Sequence, residues 1–442
     1  MKLIFLKTQF NRTSIRALLS SLEIRLWRDD GNLEIEVMNL SDLNRICGEN
    51  IQDNSVTGSG CDTILCLSFS SASRIDFSEL IHKVRESNWQ PLVIAGGAHV
   101  SSFLSDAFVM GVDVAFPGQA EESLAEFIEK SLGFSESGRK KWFAELRASA
   151  QDLREIVKTR PELARGMMLD WGFLKSENLI LPGRLQSLDV YPCLPEKNPL
   201  IGPLEITRGC SFGCAYCEIP RKFNESVIHR SPDILIRCAE RFGMWSMRFI
   251  SPDSFSYPWM SELFEGLAKV ESVRDIYWGS FPSEVRPDSV TLSKMQMVSR
   301  MCSNRNVVIG AQTGSDAMLN RIGRGHSVED VENAARICRM ADLNPLIDII
   351  VGLPGESEED DQATAAMCER LVKRTASRFT MHTFMPLPGS RMRFEESGTI
   401  GKHTLAFINK YRGKGVVQGN WEKQESLATQ LRDLYVRYGI IE

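Results

Sequence analysis

Three cysteines share one short loop, Thr207-Arg208-Gly209-Cys210-Ser211-Phe212-Gly213-Cys214-Ala215-Tyr216-Cys217, and their number constrains the chain more than any other feature. Thiolates are the usual ligands of iron-sulfur clusters, and four would saturate a 4Fe-4S cube and leave an electron carrier. Three leave one iron open to a further ligand, which makes the centre a place for chemistry. A structural zinc site is the competing reading, but zinc favours cysteines paired two residues apart and four ligands in total. No second pair stands nearby, since Cys193 lies well upstream and Cys238 falls downstream in a stretch of helical periodicity.

The remaining cysteines agree with a reducing, cytoplasmic setting, because eleven are scattered over 442 residues rather than paired at short spacing. Cys47, Cys61, Cys66, Cys238, Cys302, Cys338 and Cys368 are expected to be small buried apolar groups. A net charge of −5 gives no general attraction to nucleic acid, and 43% hydrophobic residues supply ample core. The run Arg139-Lys140-Lys141 is expected on a solvated face. Met1 opens directly onto Leu3-Ile4-Phe5-Leu6, too short for a signal peptide and better suited to a strand. No stretch approaches the roughly 20 apolar residues of a membrane span.

Residues 1–134 alternate between apolar runs (Leu3 to Lys7, Leu33 to Met38, Thr63 to Ser68, Pro91 to Ala95, Val112 to Phe116) and stretches of helical period (Ser14 to Leu26, Phe77 to Ser87, Glu121 to Leu132). This pattern predicts a doubly wound, Rossmann-like parallel sheet, whose ligands sit beyond the carboxyl ends of the strands. The loops expected there hold Ser68, Ser70, Ser71, Gly96, Gly97, His99, Gly118 and Glu121, and the small ones allow a bulky ligand close to the backbone. Residues 135–202 read as a helical, proline-broken linker, residues 203–392 return to strand-helix alternation, and residues 393–442 read as a short helical extension. The fold class is therefore α/β, with two alternating domains in series.

The cysteine loop, with Tyr216 just before its last cysteine, resembles the signature of the radical S-adenosylmethionine (SAM) superfamily. The first domain, with its Gly-Gly-x-His turn at 96–99 and Gly-x-x-Glu turn at 118–121, resembles the cobalamin-binding domain of one large subfamily, the class B radical SAM methyltransferases. The resemblance implies a partial six-stranded (β/α) barrel over 203–392. It also implies a 4Fe-4S cluster on Cys210, Cys214 and Cys217, SAM bound to the open iron, and cobalamin as methylcobalamin on the first domain. Ser251 and Asp253 stand where the superfamily places a glycine-rich SAM-binding turn, although the glycines are missing here. Glu284 falls in the loop after the third strand, and Gln312 stands where glutamate is usual. Arg324 is where the family has an arginine, and Gly352 and Pro354 fall in the adenine-side turn. No Asp-x-His-x-x-Gly stretch occurs, so the resemblance implies cobalt without a protein histidine beneath it.

The implied activity is C-methylation of an unactivated carbon, served by a low-potential electron donor. The segment 203–209 and the short extension resemble archaeal forms acting on methyl-coenzyme M reductase, including its glutamine, which would make the partner a protein or peptide; a small molecule is the alternative. A cobalamin-dependent cyclisation or rearrangement would use the same motifs. A methylthiotransferase would need three more cluster cysteines in the first domain, and Cys47, Cys61 and Cys66 are not at the usual positions. A cobalamin or redox sensor is the non-enzymatic reading.

Overall fold

The computed structural model describes residues 1–26, 32–43, 62–169, 176–183, 185–219 and 227–442. Cys47 and Cys61 lie outside them. The chain divides into two compact units, one made of residues 1–186, 190–201 and 434–442, the other of residues 187–189 and 202–433.

In the first unit the apolar runs become five parallel strands: β1 (Lys2–Lys7), β2 (Glu34–Asn39), β3 (Thr63–Ser68), β4 (Leu92–Gly96) and β5 (Val114–Phe116), in the order β2-β1-β3-β4-β5. β3 is buried along its whole length, as expected of a central parallel strand covered on both faces. Strand order reverses between β1 and β3. There Asn11 Nδ2 donates to the carbonyls of Leu6 and Ser68, each at 2.9 Å, and ties the two carboxyl ends together. Leu3, Phe5, Ile64, Ile94 and Val114 form a core with Leu19 and Leu22 of helix Arg12–Arg25 and Leu124 and Ile128 of helix Glu121–Gly133.

Residues expected in the linker pack into this unit. Helix Glu136–Thr159 buries Phe143, Leu146 and Leu153, and residues 178–180 run beside β5, where Ala115 N donates to Asn178 O (2.8 Å) and Ile180 N to Ala115 O (3.0 Å). This covers a sheet edge that would otherwise expose unpaired backbone groups. Arg139 departs from its expected solvated place. Its side chain is nearly buried because both carboxylate oxygens of Asp62 accept from it, whereas Lys140 and Lys141 pair at the surface with Glu136 and Glu145.

The second unit carries β6 (Leu204–Glu205), β9 (Ser246–Ile250) and β10 (Asp275–Tyr277) as one parallel sheet. A second parallel sheet holds β11 (Asn306–Gln312), β12 (Asn344–Val351), β13 (Arg378–Thr383) and β14 (Val417–Gly419). Between the sheets the series is carried by single hydrogen bonds, from Val308 N to Gly279 O (2.7 Å), Val285 N to Val308 O (2.8 Å) and Gly310 N to Val285 O (3.0 Å). The short pair β7 (Thr207–Arg208) and β8 (Ile228–His229) is antiparallel. The terminal extension is not purely helical, since β14 lies between helices Lys402–Tyr411 and Trp421–Arg437.

Along β12 burial alternates strictly, with Pro345, Ile347, Ile349 and Val351 buried and Leu346, Asp348 and Ile350 on the other face. An acid in an otherwise apolar strand is therefore held on the face opposite the packed one. Trp278 is fully buried among Phe249, Tyr257 and Phe264, a packing role, and Cys66, Cys238, Cys302, Cys338 and Cys368 are buried free thiols.

Candidate active site

The cysteine loop follows β7 through Gly209, whose φ of 85° favours glycine. Its course is set by a backbone bond within it, from Cys217 N to Cys214 O (3.1 Å), and by bonds to other loops, from Ala215 N to Ile322 O (2.8 Å) and from Met392 N to Ala215 O (3.1 Å). Ala215 and Tyr216 pack on Ile322, Leu353 and Phe384. Cys214 is buried, Cys210 and Cys217 are half-buried, and none of the three is in a disulfide. Two arginines hold the loop. Arg324 places Nη1 3.6 Å from Cys214 Sγ and gives Nη2 to Gly310 O at 2.7 Å. Arg286 stacks 3.5 Å above the Phe212 ring and donates Nη2 to Arg324 O at 2.6 Å.

Beside this loop lies a cavity of about 220 Å³, lined in part by Tyr216, Glu284, Gln312, Asp348, His382 and Gln424. Gly310 pairs in register with Asp348. A Cβ there would strike the Glu284 carboxylate and come 2.6 Å from Arg324 Nη2 and 2.8 Å from Gln312 Nε2. Burial raises the carboxyl pKa of Glu284, against the pull of Arg324. Burial and then the charge of Glu284 push Asp348 up to about 7. His382, 3.9 Å from Asp348, has its pKa lowered by burial, and Gln424 Nε2 reaches its Nδ1 at 3.3 Å. The cavity thus gathers carboxyl, imidazole and amide groups next to the cysteine loop.

Of the residues expected at this site, Tyr216, Glu284, Gln312 and Arg324 come together with Cys214. Ser251 and Asp253 do not present free polar groups. Asp253 accepts from Phe255 N (3.1 Å), Arg286 N (3.3 Å), Ser289 Oγ (3.2 Å) and Ser256 Oγ, and Ser251 Oγ donates to Asp253 O (2.9 Å). Gly352, with φ 68°, is explained by the Gly398 carbonyl pressed against it, and Pro354 lies at a separate shallow depression with Gly355, Phe394 and Arg432.

The loops of the first unit divide in the same way. Ser70, Gly96, Gly97 and Gly118 remain partly exposed at the carboxyl edge of the sheet, a floor of small groups suited to a broad, flat ligand. Gly97 (φ 94°) is also demanded by packing, since a Cβ would lie 2.7 Å from Phe69 N. Ser68 Oγ is 2.9 Å from Ser14 Oγ, and Glu121 is buried at the start of its helix. His99 is turned inward and fully buried. Its Nδ1 is 3.0 Å from Ser71 Oγ and its Nε2 is 2.8 Å from Asp106 Oδ2, so neither nitrogen is offered to a ligand. Asp106 also takes Arg74 Nε (2.6 Å) and Nη2 (2.9 Å) and the hydroxyl of Tyr438 (2.7 Å). Burial alone would raise its pKa, yet Arg74 and His99 hold it well below the usual carboxylate range.

Residues 204–368 match the Radical SAM superfamily model. The second unit contains a radical SAM domain. Among curated relatives, a tRNA-2-methylthio-N(6)-dimethylallyladenosine synthase of Pelobacter propionicus is 29% identical over 47% of this chain and 48% of its own length. An uncharacterized protein of Methanocaldococcus jannaschii is 22% identical over 73% of this chain and 69% of its own. The chain spans about half the length of the first of these relatives. Among solved structures, the radical SAM methyltransferase TsrM of Kitasatospora setae, with cobalamin and a [4Fe-4S] cluster bound, superposes with a TM-score of 0.59 at 14% identity, over 89% of this chain and 77% of that one. The cobalamin-dependent SAM radical enzyme OxsB gives 0.54 at 15% identity, over 100% of this chain and 62% of that one. At such identities the likeness is one of fold.

The donor set fits what a radical SAM domain implies. Among the described residues no three Cys, His, Asp or Glu side chains converge as ligands of a single ion, whereas in a cuboidal cluster each thiolate binds a different iron. Two residues escaped the sequence reading. Arg286 and Gln424 carry no local signature, since each acts through a distant loop. Asp348 stands out in the sequence as a lone acid between Ile347 and Ile349, without a role that the sequence assigns to it.

Proposed function

We propose that this protein is a cobalamin-dependent radical SAM C-methyltransferase acting on an unactivated carbon, with a protein or peptide side chain as substrate. The observation that carries the reading is the pairing in one chain of a β2-β1-β3-β4-β5 doubly wound unit, floored by small residues at its carboxyl edge, with a radical SAM domain whose cluster loop offers three thiols. A bound cluster would supply the electron that cleaves SAM, and bound cobalamin would supply a methyl carrier. The chain's own residues do the positioning. Cys210, Cys214 and Cys217 would hold the cluster, Arg324 fixes the Cys214 sulfur and the Gly310 carbonyl, and Arg286 fixes both Phe212 and Arg324. Such fixed geometry is the main requirement for aiming a radical at one carbon. Glutamine of methyl-coenzyme M reductase is the narrower substrate this reading extends to.

A methylthiotransferase is the second reading, favoured by the named tRNA-modifying relatives. Against it, Cys66 lies buried within β3, where burial raises its thiol pKa far above the ordinary value.

The test is anaerobic reconstitution followed by incubation with SAM carrying a deuterated methyl group. A reduced-cluster electron paramagnetic resonance (EPR) signal, 5'-deoxyadenosine release and a bound corrin spectrum are expected, and Cys214→Ala should abolish the first two. Transfer of the label to a substrate carbon supports methylation, whereas transfer together with sulfur would replace this reading with methylthiolation.

A further inference from the structure

We propose that Glu284 and Asp348 form a subsite for a positively charged substrate group, an amine or a guanidinium, in the cavity beside the cysteine loop. This deepens the radical SAM reading of the site and rests on it, and it favours a basic side chain over the neutral amide of glutamine.

The cavity carries two carboxyl side chains and little to balance them. Among the described residues the Glu284 carboxylate makes neither a hydrogen bond nor an ion pair; the guanidinium nearest to it, Arg324, is spent on Gly310 O and the Cys214 sulfur. Asp348 has a side-chain hydrogen bond with Thr380 and His382 at 3.9 Å, where burial disfavours the imidazolium, so no cation faces it. Two carboxyls withdrawn from water are costly even with the Arg324 and Arg286 charges acting on Glu284, and a cation entering between them offsets that cost for both.

The backbone makes room for such an arrangement. The alternation of β12 puts Asp348 on the same face as Ile350, and both line the cavity. Glycine at 310, its neighbour in register, leaves the space the Glu284 carboxylate occupies. Gln424 Oε1 already accepts from Thr383 N (2.9 Å), and Gln312 is the lining amide whose carbonyl can take a remaining N–H group. Ile350, Phe384 and Leu387 supply an apolar wall for an alkyl stem. At about 220 Å³ the cavity is smaller than the roughly 300–1,000 Å³ of sites for whole drug-sized ligands, so it suits one side chain of a larger substrate. A bare metal ion is not the fitting cation, because among the described residues no three donors converge.

The experiment uses the reconstituted, SAM-loaded protein and four probes, the N-acetyl methylamides of lysine, arginine, glutamine and norleucine, titrated by calorimetry. The basic probes should bind about tenfold or more tighter than the neutral ones, the equivalent of one hydrogen-bonded charge. Asp348→Asn and Glu284→Gln should each remove that preference, and Asp348→Glu should keep it. Equal binding of neutral and basic probes, or binding of none, overturns the proposal. So does a loss in Asp348→Asn of the SAM-induced change in the cluster's EPR signal, which would assign the carboxyl to SAM itself. Failure of the function reading shows separately, as a native protein with no cluster signal and no SAM cleavage.

Discussion

Asp106 in the first unit and Asp348 in the second are both acids set among apolar neighbours, and they have opposite surroundings. Asp106 meets Arg74, His99 and Tyr438 and is completely satisfied. Asp348 faces another carboxyl across a cavity and has one hydrogen bond, with the Thr380 side chain, and an imidazole whose charged form burial disfavours. A buried acid whose hydrogen bonds are closed by its own chain is part of the scaffold, whereas one left short of partners is placed for something that arrives later. The same test separates His99, spent on Ser71 and Asp106, from His382, which lines the cavity.

The strongest way to break this contrast is Asp106→Ala. It leaves the Arg74 guanidinium without its buried partner and should cost about 3–5 kcal/mol, read as lost hydrogen-exchange protection over residues 96–110. Protection close to native would show that the cluster does not hold these loops. Gly352→Ala asks whether a residue expected at the cofactor is instead architectural. Its positive φ and the Gly398 carbonyl against it predict a loss of about 1–3 kcal/mol in denaturant melts. Tyr438→Phe deletes one hydrogen bond to a charged acceptor, and about 1.5 kcal/mol is the expected loss in the same exchange experiment.

Below about pH 4 Asp348→Asn should have the smallest effect on stability, within about 1 kcal/mol of native, because the native carboxyl is then protonated in the folded and the unfolded chain alike. Its signature is pH dependence. Asp348 has a folded value of about 7 against 3.8 for the ordinary group, so between those limits the folded chain keeps a proton that the unfolded chain has released. Its contribution to stability therefore falls as pH rises across that window. The difference between native and variant melts isolates this from Glu356, which is also raised to about 7. Asp106 has the reverse sign: its stabilisation is present above the unfolded value near 3.8 and disappears only in stronger acid. Parallel pH profiles for Asp106→Ala and Asp348→Asn would contradict the comparison.

Much of the scaffold was legible because parallel strands advertise themselves as apolar runs, and β1 to β5 fall within a few residues of those runs. Helices Ala98–Ser102 and Leu104–Met110 were not legible, being too short to show a period and starting inside a Gly-Gly turn. β14 has three residues and its pairing with β13 is nonlocal, so nothing in 393–442 announced a strand. At the site, the three cysteines stood out by spacing alone. Glu284, Gln312 and Arg324 entered through family resemblance, and Gln424 could not enter at all, because a glutamine on a helix becomes a cavity wall only when the chain returns from a distance. His99 shows the converse, a motif position whose side chain is consumed by its own surroundings.

Tyr435 and Tyr438 belong to the first unit although they are among the last residues of the chain, and they close over Phe103 and Asp106. The order of synthesis therefore runs against the order of assembly: the N-terminal half leaves the ribosome early but lacks two ring contacts and one hydrogen-bond donor until residues 434–442 have been made. A nascent chain stalled before residue 434 should expose this segment to protease, and synthesis of residues 434–442 should seal it.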